Sequence, residues 1–330
     1  MQDFGDRLAV ITGAGTGMGR ELARQLAAEG CHLALCDVSP DEMAETQRSC
    51  QELAPTAVRV TTQQCDVSDE AQVVAFRDAV KAQHETDHIH LLFNNAGIGG
   101  GGSFLVDDRD EWEKTFGVCW HGVYYCSRAF MPMLVASPEA CIINTSSVNG
   151  FWASVGPGVS HTAYSAAKFA VKGFSEALLT DLRLNAPHVK VCLVMPGHVG
   201  TSIVINTNKV LGKPHPAEMS AQDLGALRKR LKAQGLPVDN LTDEQLGAAI
   251  RQRIQDFRDK APLSAAGAAS IILDGVRNEQ WRILVGDDAR VLDRLVREAP
   301  EEAYESSFWD RLLETGIFGG LGGSGPDSSS

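Results

Sequence analysis

Short apolar runs alternate along this chain with longer stretches whose apolar positions recur every three or four residues. Residues 8–12 form the first run, which ends in a cluster of glycines. Leu22, Ala23 and Leu26 then share one face of a helix predicted over 18–29, stopped by Gly30. A second strand is predicted at 32–36, ending at Asp37, and a helix at 41–53 with Pro55 just beyond it. The alternation continues with strand 58–64 and helix 69–85, where Val73, Phe76 and Val80 make the apolar stripe. Strand 91–93, a helix near 111–135, strand 141–145, a helix near 162–184 and strand 189–194 follow. Strands this continuously apolar suit a parallel sheet covered by helices on both faces, an α/β fold of doubly wound type. Right-handed crossovers gather the loops after the strands at one edge, where ligands bind.

After Pro196 the pattern changes, and 203–260 reads as an insertion rather than another strand–helix unit. A helix is predicted over 221–233, carrying the basic run Arg228, Lys229, Arg230 and Lys232. That run is read as a solvated face, with a phosphate or partner site as the alternative. Thr242 is placed to cap Gln245, and Leu241 to pack on Leu246. Leu246, Ile250, Ile254 and Phe257 then define the stripe of a helix running to about Lys260. A small-residue helix at 265–273, a last strand at 281–285 and helices near 290–296 and 301–313 complete the pattern. We expect a single domain over 1–318, with the Gly/Ser-rich 319–330 a disordered tail.

Composition narrows the classes of function. With 30 basic against 42 acidic side chains the net charge is -12, which argues against gripping nucleic acid or anionic membrane through bulk charge. No apolar run approaches the ~20 residues of a membrane helix, and the first residues show no secretory pattern. The eight cysteines have no spacing of a structural zinc site or a disulfide-stapled fold. They are expected as small buried hydrophobes in a reducing cytoplasm. His121, His161 and His198 show no metal-ligand spacing, so no metal is expected.

The candidate chemistry lies in the loops after the strands. Thr12-Gly13-Ala14-Gly15-Thr16-Gly17-Met18-Gly19 joins the first strand to the first helix. Such a turn lets a pyrophosphate approach backbone N–H groups at a helix N-terminus. No Gly-Lys-Ser/Thr closes it, so it is not a nucleotide-triphosphate loop. Asp37, about twenty residues on, is placed to accept both hydroxyls of an adenosine ribose and to repel a 2′-phosphate, favouring NAD over NADP. Asp66 is placed to accept from the adenine amino group with Val67 beside the ring, and Asn94-Asn95-Ala96-Gly97 offers a polar turn to the cofactor. Tyr164 and Lys168, four apart on a predicted helix, share a face. A nearby ammonium favours the phenolate, so Tyr164 can exchange a proton with an alcohol or ketone while Ser147 holds the substrate oxygen.

Taken together, these motifs resemble the short-chain dehydrogenase/reductase family. The matching pieces are the glycine loop as TGxxxGxG, Asn94–Gly97 as NNAG, Ser147 within Asn144-Thr145-Ser146-Ser147-Val148-Asn149-Gly150, and Tyr164-Ser165-Ala166-Ala167-Lys168 as YxxxK. Pro196-Gly197, with Val199 and Thr201 after it, completes the set, and the likeness covers about 5–202 with a weaker part near 264–285. The resemblance implies a Rossmann-type, doubly wound seven-stranded parallel sheet, to which this chain adds a long helical lid insertion and a C-terminal helical extension. It implies oxidation or reduction of an alcohol/carbonyl pair, with Ser147 positioning substrate and Tyr164 as acid/base, and Asp37 makes NAD the expected cofactor. Lys168 would lower the tyrosine pKa and hold the nicotinamide ribose, and Thr201 would contact the carboxamide. It also implies a homodimer or homotetramer built on the helices near 111–135 and 162–184.

Three departures from the family pattern bear on function. Val118-Cys119-Trp120-His121-Gly122 carries Cys119 where the family has the asparagine that supports a water beside the lysine. The stretch from Ser147 to Tyr164 is long, and its excess around 151–161 is expected to bring Phe151 and Trp152 near the substrate mouth. The 203–260 insertion and the C-terminal helices exceed the usual lid and end. A roomy apolar pocket and an oligomer interface are both open readings of these additions. The leading expectation is a secondary-alcohol dehydrogenase or ketone reductase. The alternative is a cofactor-binding protein with little turnover and a regulatory or assembly role.

Overall fold

The computed structural model describes residues 1–156, 159–215, 218–233 and 237–317. The glycine- and serine-rich stretch at 319–330 lies outside the described residues. Seven parallel strands form the central sheet: β1 (Leu8–Thr12), β2 (His32–Asp37), β3 (Val60–Gln64), β4 (Leu91–Asn94), β5 (Ala140–Thr145), β6 (Val189–Pro196), and, after a short pair, β9 (Arg282–Val285). Their order is β3-β2-β1-β4-β5-β6-β9, so the strand order reverses between β1 and β4. The loops after those two strands therefore face one another across a crevice, the usual ligand position of such sheets.

Alternation along β1 feeds two cores. Ala9 and Ile11 pack with Leu22, Leu26 and the small residues Ala268 and Ala269, on helices α1 (Gly17–Ala28) and α10 (Ala265–Arg277). Leu8 and Val10 pack on the other side with Val73, Phe76, Phe130 and Leu178. Those side chains come from α3 (Glu70–His84), α5 (Gly122–Val135) and α6 (Thr162–Asn185). α2 (Pro40–Leu53) lies beside α1 and β3.

The helix expected near 111–135 is broken. α4 (Arg109–Phe116) runs into a π-helical turn at Gly117–His121 before α5 begins. Gly122 N–H reaches back to Gly117 O, five residues, which places one extra residue in the turn. Cys119 sits in the middle of this turn.

The insertion contains α7 (Ile203–Val210), which the apolar pattern does not single out, then α8 (Ala221–Ala233) and α9 (Asp243–Asp259). Thr242 and Gln245 form a reciprocal capping box at the start of α9, and Leu246 is buried. Two short parallel strands, β7 (Val199–Gly200) and β8 (Leu263–Ser264), pair at the base of the insertion and bring its ends together. Of the basic run on α8, Arg228 pairs with Asp243, Arg230 with Asp107 and, at the surface, Lys232 with Asp239, while Lys229 is exposed.

α11 (Asp287–Glu298) spans the helix expected at 290–296. The helix expected at 301–313 begins as a 3-10 turn at Pro300–Glu302 and resumes as α12 (Ser306–Glu314). No helix among the described residues is long and apolar enough to cross a membrane.

Candidate active site

The glycine loop and the turn after β4 are built as one unit. Thr12 Oγ1 accepts from the backbone N–H groups of Asn95 and Ala96, both at 3.0 Å. Asn95 Nδ2 donates back to the Thr12 carbonyl at 3.0 Å. Gly13 adopts φ +65°, which an L side chain resists, and a Cβ on Gly19 would collide with the Gly13 carbonyl. The turn therefore packs tightly under the N-terminus of α1, whose first N–H groups have no acceptor within the helix. Thr16 caps α1 through its backbone position, without a side-chain cap bond, and Met18 packs down on the core.

Asp37 reaches this loop from the end of β2. Its carboxylate accepts from Gly15 N at 2.9 Å and from Ser39 N at 3.0 Å. Asp66, after β3, accepts from Ser68 Oγ and N through one oxygen and pairs with Lys114 through the other. Partial burial would raise its pKa, but Lys114 and Ser68 outweigh that and hold it below the usual carboxylate range. Val67 is buried against Gly122.

Not every sequence candidate reaches the cleft surface. Asn94 points inward, where its amide donates to Asn144 Oδ1 at 2.8 Å and Ser127 Oγ at 3.1 Å. It ties β4 to β5 and α5 and does not face the cofactor crevice. Gly97 does line the cleft. A Cβ there would lie 3.5 Å from Lys168 Nζ and 3.7 Å from Cys119 Sγ, so ammonium and thiol flank the same point.

Pro196 ends β6, and Gly197 N donates to the Val285 carbonyl at 3.0 Å. The next N–H, on His198, donates to the buried Asp288 carboxylate at 2.6 Å. His198 Nε2 meets the Phe257 carbonyl at 2.7 Å, which joins this turn to α9. Val199 is buried, and Thr201 comes against the glycine loop, since a Cβ on Gly17 would lie 3.3 Å from its methyl.

Ser147, Tyr164 and Lys168 meet at the C-terminal end of β5. Lys168 is 2% exposed; its Nζ donates to the Thr145 carbonyl at 2.8 Å and lies 5.4 Å from the centre of the Tyr164 ring. Burial lowers the lysine pKa, opposed by Cys119. Burial, and then the neighbouring Cys119, raise the tyrosine pKa, while a hydrogen bond with Ser147 works the other way. Left to itself the phenol is thus a proton donor, and forming the phenolate requires positive charge to be brought up to it. Ser147 Oγ also accepts from Asn149 N at 3.1 Å, which orients the hydroxyl.

Cys119 is fully buried and its thiol donates to the Ile98 carbonyl at 3.2 Å. The thiol thus fixes the loop after β4 from the position of the family's asparagine. Cys119→Asn should keep the fold and cofactor affinity, because the amide can donate to the same carbonyl. We expect kcat close to that of the parent, with the pH profile of turnover as the check.

Phe151 and Trp152 do not line the substrate mouth. Trp152 is buried under the C-terminal extension, its indole N–H donating to the Ala303 carbonyl at 2.6 Å. It packs on Phe308 and stacks on Trp309. Phe151 packs beside this cluster, with the Arg282 guanidinium 5.8 Å from its ring centre. The aromatic excess anchors the extension because α12 offers an apolar face that the sheet leaves uncovered.

Several site residues carry no local signal in the sequence. His161 stacks on Tyr164 at 4.7 Å between ring centres, and burial pushes its pKa down to about 4, so the imidazole is neutral. Thr207 Oγ1 accepts from Gly99 N at 2.8 Å, and Asn206 Nδ2 donates to Thr16 Oγ1 at 2.7 Å. Lys213 pairs with Glu111 at 2.5 Å and Arg230 with Asp107 at 2.7 Å, which strap the insertion across the cleft.

A dinucleotide cradle at the strand-order reversal, with a serine, a tyrosine and a lysine converging beside it, defines an oxidoreductase of the Rossmann type. The family model for short chain dehydrogenase matches residues 7–211, and the chain belongs to that family. SadH of Mycobacterium tuberculosis, an oxidoreductase by name, is 32% identical over 319 residues, covering 96% of this chain and 97% of its own. Meso-2,3-butanediol dehydrogenase of Serratia marcescens is 33% identical over 200 residues, covering 61% of this chain and 74% of its own. A solved short chain dehydrogenase/reductase from Burkholderia phymatum, in complex with NAD, superposes with a TM-score of 0.70 at 32% identity, over 91% of this chain and 96% of that one.

Proposed function

We propose that the protein interconverts a secondary alcohol and its ketone with NAD(H), Tyr164 serving as acid/base. The observation that carries this reading is the approach of the Lys168 ammonium to within 5.4 Å of the Tyr164 ring centre, with Ser147 drawing the phenol pKa down against burial. Gly13, Gly15, Thr16, Gly17 and Gly19 hold the diphosphate, Asp37 the adenosine ribose, and Asp66 with Val67 the adenine. Asn95, Ala96 and Gly97 floor the crevice, and Val199 and Thr201 address the carboxamide. When bound, the nicotinamide supplies the hydride acceptor and, oxidised, a positive charge.

In oxidation, Ser147 holds the alcohol oxygen while Tyr164 removes its proton. Lys168, fixed by the Thr145 carbonyl, keeps its charge beside the phenol and orients the nicotinamide ribose. In reduction, Tyr164 returns the proton to the ketone oxygen. The insertion excludes water from the cleft, and the apolar character of α7 suits a substrate with apolar substituents. Tyr124, Val135, Phe169 and Leu184 leave apolar surface on α5 and α6, which supports a homodimer or homotetramer through those helices.

Secondary alcohols and ketones screened by NADH absorbance test the reading; no turnover across the series would leave a cofactor-binding role, which Cys119 alone favours. Steady-state kinetics should give higher kcat/KM with NAD(H) than with NADP(H), since a 2′-phosphate meets the charge of Asp37. Asp37→Ala should narrow that gap; an unchanged ratio would remove Asp37 from the ribose site.

A further inference from the structure

The turn after β6 is held from three sides by elements far from it in the chain. Gly197 N donates to the Val285 carbonyl of β9, His198 Nε2 to the Phe257 carbonyl of α9, and His198 N to Asp288 Oδ2 of α11 at 2.6 Å. The His198 and Phe257 rings also pack together, with 4.4 Å between their centres. The insertion and the C-terminal extension thus meet at one turn, immediately before Val199 and Thr201.

Asp288 is the odd member of this set. It is buried in the first turn of α11, and among the described residues no cation pairs with it. Oδ2 accepts from His198 N, while Oδ1 is buried without a partner. The surrounding backbone leaves room for the carboxylate. A Cβ on Gly197 would stand 2.2 Å from Oδ2, and one on Gly286, whose φ is +105°, would stand 2.4 Å from Oδ1. The N-terminal end of α11 favours the negative charge, but a buried oxygen without a donor costs stability. Two glycines and a bare oxygen are therefore given over to one bond, and that bond fixes the turn.

We propose that Asp288 is a positioning residue for the nicotinamide half of the cofactor: its carboxylate holds the 197–198 peptide, and through it Val199 and Thr201, where they meet the carboxamide. The inference rests on the reading that Thr201 addresses that group. Thr201 also stands against Gly17 of the glycine loop, so movement of the turn moves a wall of the crevice. The C-terminal extension thereby contributes to cofactor binding through a residue that acts on the turn alone.

Calorimetric titration of the full chain with NADH and with ADP-ribose, which keeps both riboses and the diphosphate but has no nicotinamide, tests this without turnover. Asp288→Ala should weaken NADH about tenfold, the order of one charge-assisted hydrogen bond, and leave ADP-ribose within about twofold of the parent. Asp288→Asn keeps an oxygen for the His198 N–H and should hold NADH near the parental affinity. Asp288→Ser is too short to reach that N–H; it should match Asp288→Ala and replaces it if the alanine variant folds poorly. Equal weakening of both ligands would make Asp288 merely structural and overturn the proposal. Unchanged NADH affinity in the short variants, or a loss in Asp288→Asn as large as theirs, would overturn it too. Thr201→Ala tests the underlying reading. If it weakens NADH selectively and Asp288→Ala does not, that reading stands and the proposal fails. If Asp288→Ala weakens NADH selectively and Thr201→Ala does not, Thr201 leaves the carboxamide site and the role of Asp288 stands.

Discussion

Tyr164→Phe should lower kcat by at least about 100-fold, the usual worth of a positioned acid–base group. The substitution removes the proton that passes to or from the substrate oxygen and keeps the ring, so the stack with His161 and the packing beside Lys168 survive. NADH affinity should hold, because the glycine loop and Asp37 are untouched. Stopped-flow hydride transfer and fluorescence titration of NADH measure the two quantities separately. Near-parental turnover with normal binding would rule Tyr164 out as the acid/base. A loss of binding as large as the loss of turnover would show that the phenol serves the cofactor instead.

Trp152→Ala should destabilise the protein by about 3–5 kcal/mol, the range for emptying a buried aromatic site. Trp152 is 5% exposed, and no solvent can take over the bond from its indole to Ala303. The loss also strips partners from Phe308 and Trp309, so α12 loses its anchor. Asn149 is held by the carbonyls of Trp152 and Ser154, and its own N–H orients Ser147. Turnover should therefore fall with stability. Urea unfolding with kcat measured on the same samples checks both, and Trp152→Phe should recover part of each. A variant with an unshifted urea midpoint would show that the extension is held elsewhere.

The strands were legible because burial on both faces leaves little room for polar residues; all five residues of β1 and all six of β5 are buried. The glycine turn between β1 and α1 and the shared face of Tyr164 and Lys168 on α6 were legible as geometry, because each is a local arrangement within a few residues. The break at Gly117–His121 was not. Val118, Cys119, Val123 and Cys126 are all buried, and an unbroken apolar face hides whether a turn closes after four residues or five. The inward bonding of the Asn94 side chain to Asn144 and Ser127 was not legible either, because a polar side chain after a strand can serve the sheet as well as a ligand.

What remained hidden depends on residues far apart in the chain. Trp152 meets Ala303 across 151 positions, Arg230 meets Asp107 across 123, and Asn206 meets Thr16 across 190. No local pattern marks such a partner. Phe151 and Trp152 therefore read as substrate contacts until the extension was seen to cover them.

All eight cysteines are buried and unpaired, and the last of them is Cys192. Every thiol thus lies in the sheet, its flanking helices or the connections between them, and neither the insertion nor the C-terminal extension contains one. A thiol reagent added to the native protein must wait for an opening of the core, so its rate is a clock for that event alone. Excursions of the insertion or the extension pass without reaction unless they loosen the sheet beneath. Cys119 shares with Lys168 the space above Gly97, so a ligand that fills the cleft should slow its reaction along with that of the other core thiols.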